Sequence, residues 1–190
     1  TNADGDALAP TPCYNSAVLE DVAAETQAAF LQQTLAACPV ARETAVLLKV
    51  WLTQREQRFA ADSLDSHGAT LLVAYLVQTR RITAGMTAVA AFTLVLKVLA
   101  DAQLGRNVFD FTSAKVTVLE EGEAQWPLTL LYPLFDRCVP GKERQGTFNA
   151  LWRVSASSVS ALQAEATQSL QLLQGAADTA FARLFMTFGS

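Results

Sequence analysis

Apolar positions along this chain recur mostly at helical spacing. In PVARETAVLLKVWLTQREQR, Pro39 to Arg58, the residues Val40, Thr44, Leu47, Leu48 and Trp51 form a stripe at i, i+3 and i+4. That period predicts one amphipathic helix. Pro39 suits its first position, where a backbone N–H would have no intrahelical partner. Glu43 in the early turns, and Arg55 and Arg58 at the end, match the helix dipole. Upstream, Leu19, Val22, Ala23, Thr26 and Phe30 give a preceding helix its buried side as far as Ala37, with Asn15 or Ser16 as its cap. The break at Cys38 and Pro39 then predicts an αα-hairpin.

Ala69 to Gln78 and Met86 to Ala100 are apolar nearly all round, as buried central helices are. Each falls short of the roughly 20 residues a membrane span needs, and Lys97 interrupts the second. Ser63 to Gly68 reads as a loop, with Ser66 as the cap of the helix that follows. After Leu104 the pattern changes. Val116 and Val118 alternate with polar residues, and Glu120, Glu121, Gly122 and Glu123 make an acidic turn. Leu128 to Phe135 is β-like, but its Pro133 points to an edge or a bulge. The turn Gly141 to Gly146 leads to Thr147–Val154 as a partner strand, which predicts a small β-hairpin with Trp152 packed on the helices. Ser155 to Ser158 offer caps for a further helix that buries Val159, Leu162, Ala166, Leu170 and Leu173 and stops at Gly175. Asp178 caps a last short helix bearing Phe181, Leu184, Phe185 and Phe188. The expected fold is mainly α, a helical bundle with one small hairpin near the C-terminal third. Residues 1–12, with Gly5, Pro10 and Pro12, read as a linker or arm, and residues 13–190 as one module.

Composition narrows the function. The chain has 190 residues, 51% of them apolar and only 17% charged, which suits a well-buried domain and excludes a disordered one. Its net charge of −4 argues against a free-standing nucleic-acid binder, since phosphate neutralisation supplies most of such affinity. Cys13, Cys38 and Cys138 are odd in number and widely spaced, so a reducing compartment is expected rather than a disulfide framework. His67 is the only histidine, and no zinc site or cofactor is expected. No signal peptide precedes the fold, and the start at Thr1 without Met reads as a piece of a longer protein.

Candidate contacts are few, and each has a plain alternative. Lys49 is either a snorkelling side chain on a solvated face or a phosphate or RNA contact. Arg80 and Arg81 are either a charge pair at a helix C-terminus or a bidentate phosphate contact. His67 has no evident Asp or Cys partner, which speaks against a catalytic base. Phe185 and Phe188 are either core or anchors for a neighbouring domain. Two-metal nucleotidyl transfer needs clustered carboxylates on a rigid strand, and no G-S followed by D-x-D or D-x-E on a strand occurs here; Asp62 and Asp65 fall in a loop and Asp110 is isolated. No other catalytic or phosphate-binding motif is present either.

LLKVWLTQR resembles the signature helix in the domain that follows the catalytic domain of poly(A) polymerases and oligoadenylate synthetases. The runs TPCYNSAVLEDVAAET from Thr11 to Thr26 and CPVARETAVLLKVWLTQRE from Cys38 to Glu56, with the tail from Ala156 to Thr187, resemble the nucleolar RNA-associated protein family (Nrap), second module. That resemblance implies a substrate-binding-domain-like helical fold. It also implies a nuclear, nucleolar location and a non-catalytic scaffold role in the small-subunit processome, in pre-rRNA processing. The partners it implies are neighbouring domains of the same chain, processome proteins and pre-rRNA, with no membrane. The alternative is a nucleotide- or RNA-clamping domain of an active nucleotidyltransferase. In active relatives, the counterpart of Ser63 to Gly68 is a glycine- and serine-containing turn near the nucleotide; this chain keeps Gly68, with Ser66 and His67 beside it.

Overall fold

The computed structural model describes residues 12–55, 62–134, 146–174 and 184–185. Among these are five helices and a small four-stranded sheet. Helices α1 (Pro12–Ala37) and α2 (Pro39–Gln54) form the expected hairpin, broken only at Cys38. Pro39 stands at the start of α2, as its missing N–H favours. Helix α1 begins at Pro12, so Asn15 and Ser16 lie inside it rather than at its N-terminal cap position. Its buried residues are Ala23, Gln27 and Leu31, while Val22, expected inside, is 63% exposed. The stripe is therefore turned by part of a turn, and it carries a buried amide where the pattern asked for a hydrocarbon.

Helix α2 buries Ala41, Thr44, Ala45, Leu48, Trp51 and Leu52. Thr44 tolerates full burial because its Oγ1 donates to the Val40 carbonyl at 2.7 Å. The helix ends at Gln54 with Arg55 as its cap; Arg58 lies outside the described residues. Helix α3 (Ser66–Gln78) buries every residue from Gly68 to Leu76, and α4 (Ala88–Leu99) buries Ala91, Phe92, Val95, Leu96, Val98 and Leu99. These are the two central helices that the apolar runs predicted. Helix α2 packs on both, α4 packs on α5 (Ala156–Leu173), and α1 lies against α2 and α3. Ser155 caps α5 by accepting from the Ser158 N–H, and Val159, Leu162 and Ala166 are buried along it. Gly175, Asp178, Phe181 and Phe188 fall outside the described residues.

The predicted hairpin is present, inside a larger sheet of order β2-β1-β3-β4. Strands β3 (Thr129–Leu134) and β4 (Gly146–Asn149) pair antiparallel, with Tyr132 opposite Phe148. Strand β1 (Asn107–Asp110) runs parallel to β3, and β2 (Lys115–Val118) forms an edge, antiparallel to β1. The Ala150 N–H bonds the Leu130 carbonyl on the β4 side, and the Phe111 N–H bonds the Leu131 carbonyl on the β1 side. Alternation then aims Pro133 toward the β1 side, where pairing has already ended at Leu131. Its missing N–H costs no ladder bond, which explains a proline in this strand.

The partner strand is shorter than Thr147–Val154. It stops at Asn149, whose buried side chain takes over the bonding: Oδ1 accepts from the Leu130 and Leu151 N–H groups, and Nδ2 donates to the Leu128 carbonyl. The chain turns there, and Trp152 reaches α1, donating Nε1–H to Glu20 at 3.1 Å. Arg153 stacks 4.3 Å above the Trp152 ring and pairs with the same carboxylate at 2.9 Å. Between the sheet and helices α1 and α3 runs a chain of edge-to-face rings, Phe30, Phe111, Tyr132 and Tyr75, at centroid separations of 5.3 to 6.1 Å.

Candidate interaction surface on the signature helix

The two faces of α2 differ in kind. On the inner face, Trp51 is fully buried and its Nε1–H donates to Ser169 Oγ of α5 at 3.0 Å. The Arg55 guanidinium lies 4.7 Å from the Trp51 ring centroid and donates to the same hydroxyl at 3.3 Å. Its Nε stands 3.0 Å from Glu165 Oε2, an ion pair held by charge rather than by an aligned hydrogen bond. Burial lowers the pKa of Arg55, and the Glu165 carboxylate offsets part of that. Gln54 Nε2 donates to the Phe185 carbonyl at 2.7 Å, and Arg55 reaches the Leu184 carbonyl at 3.5 Å. The tryptophan, glutamine and arginine of LLKVWLTQR thus clamp α2 to α5 and to the chain at 184–185.

On the outer face, Val46 is 55% exposed and Val50 41% exposed, one turn apart. Across from them at the start of α4 stands Val89, 43% exposed. Together with Arg42, Glu43, Leu47 and Ala88, Val46 and Val89 line a groove of about 450 Å³. A second depression of about 220 Å³ shares Val46 and adds Lys49, Val50, Thr53 and Gln54. Lys49 is half-buried there beside Val46 and Val50; its carbonyl accepts from Thr53 Oγ1 at 2.8 Å, and its ammonium has no hydrogen bond or ion pair among the described residues. Sequence reasoning found the helix and missed this face. Its signal was Val46 and Val50 at i, i+4, opposite the main stripe.

Arg80 and Arg81 occupy the end of α3. The Arg81 N–H bonds the Leu76 carbonyl and the Arg80 N–H bonds the Val77 carbonyl, both at 2.9 Å. This is the Schellman closure, with Arg80 at φ 57° where glycine is the usual residue. Both arginines are exposed. Among the described residues no interaction joins them to Lys49, which belongs to a different helix. Phe185 is half-buried, its ring centroid 5.7 Å from that of Phe92 on α4. Phe188 lies outside the described residues.

The segment Ser63 to Gly68 is not wholly a loop. Helix α3 starts at Ser66, and its cap is Asp65 rather than Ser66: Asp65 Oδ1 accepts from the Gly68 N–H at 2.7 Å. Gly68 is held by packing, since a Cβ there would come within 2.5 Å of Leu151 Cδ2. His67 is exposed and contacts Gln27 Oε1 of α1 at 2.8 Å, a helix-to-helix link. Asp110, at the end of β1, is likewise locally bonded. Burial pushes its pKa up, but hydrogen bonds from Thr112 and Ser113 outweigh that and hold it below 3.8. Among the described residues no group of three or more His, Cys, Asp or Glu stands together as a metal site would, and no helix is long and apolar enough to cross a membrane.

Residues 40–188 match the family model described as the Nrap protein PAP/OAS-like domain. Nucleolar protein 6 of Mus musculus is 33% identical over 94% of this chain, and that of Homo sapiens 31% identical over 97%. The Xenopus laevis protein of the same name is 24% identical over 98% of the chain. The chain spans only 15 to 16% of the length of these relatives. Their name is that of a nucleolar protein, in agreement with the nucleolar location expected for this chain. The matched span contains all of α2 except its first residue, Pro39, and the helical architecture with its small sheet fits the matched domain type. By sequence match and by fold, this chain belongs to the Nrap family and is its second, PAP/OAS-like module.

Proposed function

We propose that this chain is a non-catalytic interaction module of a nucleolar protein acting in the small-subunit processome during pre-rRNA processing. The observation that carries the reading is the division of α2. Its polar signature residues Gln54 and Arg55, with the Trp51 indole, hold the module together internally, and its outer face presents an aliphatic groove. A catalytic or nucleotide-gripping helix would instead direct polar groups outward, toward substrate. Neighbouring domains of the same polypeptide and other processome proteins are the partners this surface suits.

The test is direct. The purified protein is incubated with Mg²⁺ or Mn²⁺, an RNA primer and each nucleoside triphosphate. The expected result is no extension above a blank lacking protein, and metal-dependent extension overturns the reading.

A second reading, contact with pre-rRNA, has the Arg80–Arg81 corner in its favour. Both side chains are exposed, and Arg80 keeps a left-handed backbone that glycine adopts at lower cost. Its mark is RNA retention that falls when Lys49, Arg80 and Arg81 are all replaced by Ala.

A further inference from the structure

We propose that the groove between α2 and α4 seats an amphipathic helix from another domain of the same polypeptide, with aliphatic side chains on Val46, Val50 and Val89 and an acidic side chain opposite Lys49. This rests on the interaction-module reading and names the partner that its surface takes.

Three observations select a helix. The exposed valines Val46, Val50 and Val89 border two depressions that share Val46, so they form one aliphatic strip rather than scattered residues. The walls are mid-helix and N-terminal helix surface, whose backbone groups are bonded within α2 and α4 apart from the first turn of α4, which Thr87 caps. Such walls offer a strand no ladder partners, so the occupant must satisfy its own backbone, as a helix does. Among the described residues the lining contains no aromatic ring on which a base could stack, and Glu43 offsets the charge of Arg42, which disfavours single-stranded RNA.

Charge and chain length select the source. Lys49 stands beside the strip without an ionic partner among the described residues, so an occupant bearing a carboxylate there gains a charge-assisted bond. Relatives hold this module within chains of which it makes up only 15 to 16%, so much polypeptide is tethered to it. Tethering raises the effective concentration of a partner segment to about millimolar for short linkers, ahead of untethered competitors. Phe185 is bonded to Gln54, which also lines the second depression, so the polypeptide passes the edge of the groove.

The test uses the full-length protein that carries this sequence, with p-benzoylphenylalanine in place of Val50 and irradiation in native extract. Cross-linked peptides are identified by mass spectrometry, with Thr117 on the exposed strand β2 as the control position. The expected cross-link joins Val50 to a helical peptide of the same polypeptide that contains an acidic residue, at least tenfold above the control. Val46→Glu or Val89→Glu should remove most of it, and the milder Val46→Ser should lower it in the same direction. Lys49→Glu should weaken it, and replacing the partner acid with Lys should restore it. Cross-links to RNA, to a second copy or to a different protein overturn the inference, as does a yield no higher than at Thr117. Those results leave the module reading standing, whereas metal-dependent primer extension sinks that reading whatever the cross-link shows.

Discussion

The two faces of α2 are made from one stretch of sequence with nearly alternating duties. Trp51, Leu48 and Thr44 turn inward and are wholly covered, while Val46 and Val50 turn outward beside Lys49. On the inner face the Trp51 indole, the Gln54 amide nitrogen and the Arg55 terminal nitrogens are hydrogen-bonded, Arg55 Nε is held only by the Glu165 charge, and the Gln54 Oε1 acceptor has no hydrogen bond among the described residues. On the outer face the apolar surface is uncovered. The contrast teaches that the best-known letters of this helix, its tryptophan and arginine, are engaged in packing, while the aliphatic residues between them form the surface that stays uncovered.

The inner face should break most severely. Trp51→Ala removes a fully buried indole and leaves the Ser169 hydroxyl and the Arg55 guanidinium without their shared surface. A loss of about 3–5 kcal/mol is expected, a large share of the roughly 5–15 kcal/mol that domains possess. Urea unfolding followed by circular dichroism measures it. A loss under about 1 kcal/mol would show that the clamp is incidental.

Arg55→Met keeps the stem and removes the charge. The Arg55 side chain is 16% exposed and that of Glu165 37%, so solvent screens the pair in part. The expected loss is about 1–2 kcal/mol, less than for a fully buried pair and more than for a surface one. A double-mutant cycle with Glu165→Gln separates the ion pair from the contacts to Ser169 and to the carbonyls of Trp51 and Leu184. No coupling between positions 55 and 165 would assign the whole effect to those other bonds.

The outer face should hardly respond. Val50→Thr keeps the β-branch and exchanges a methyl group for a hydroxyl at a position 41% exposed, so stability should change by no more than about 0.5 kcal/mol. Thermal melting of the 190-residue chain checks this. A larger drop would mean that the groove is closed by its own domain, and the contrast between the faces would fall with it.

Acid should weaken the sheet end of the molecule without touching this contrast. The Asp110 carboxyl has its folded pKa below its ordinary value, so its contribution is present above pH 3.8 and is lost as pH falls through the folded pKa. Asp110→Asn should remove that part of the acid dependence, as read by unfolding midpoints between pH 5 and pH 2.

Much of the helical frame was legible in the chain itself. The proline at the start of α2, the all-round apolar runs of α3 and α4, and the serine cap of α5 are local signals, set by periods and backbone chemistry that act over one or two turns. The antiparallel β3–β4 pair was equally legible, because its two strands are consecutive and close in sequence. Family membership followed from runs of residues that survive as text. Tertiary structure decided the remainder. Strand β1 is four residues long, too short for an alternation to stand out, and its parallel pairing with β3 is a non-local choice. The turn at Asn149 depends on carbonyl and amide groups some 20 residues away, so composition read it as continuing strand. The exchange of Val22 for Gln27 on the buried side of α1 depended on where α3 brought its partner His67. For α2, helical periodicity permits two apolar stripes, 41–44–48–51 and 46–50, and only the neighbours that pack against one of them determine which is covered and which stays exposed.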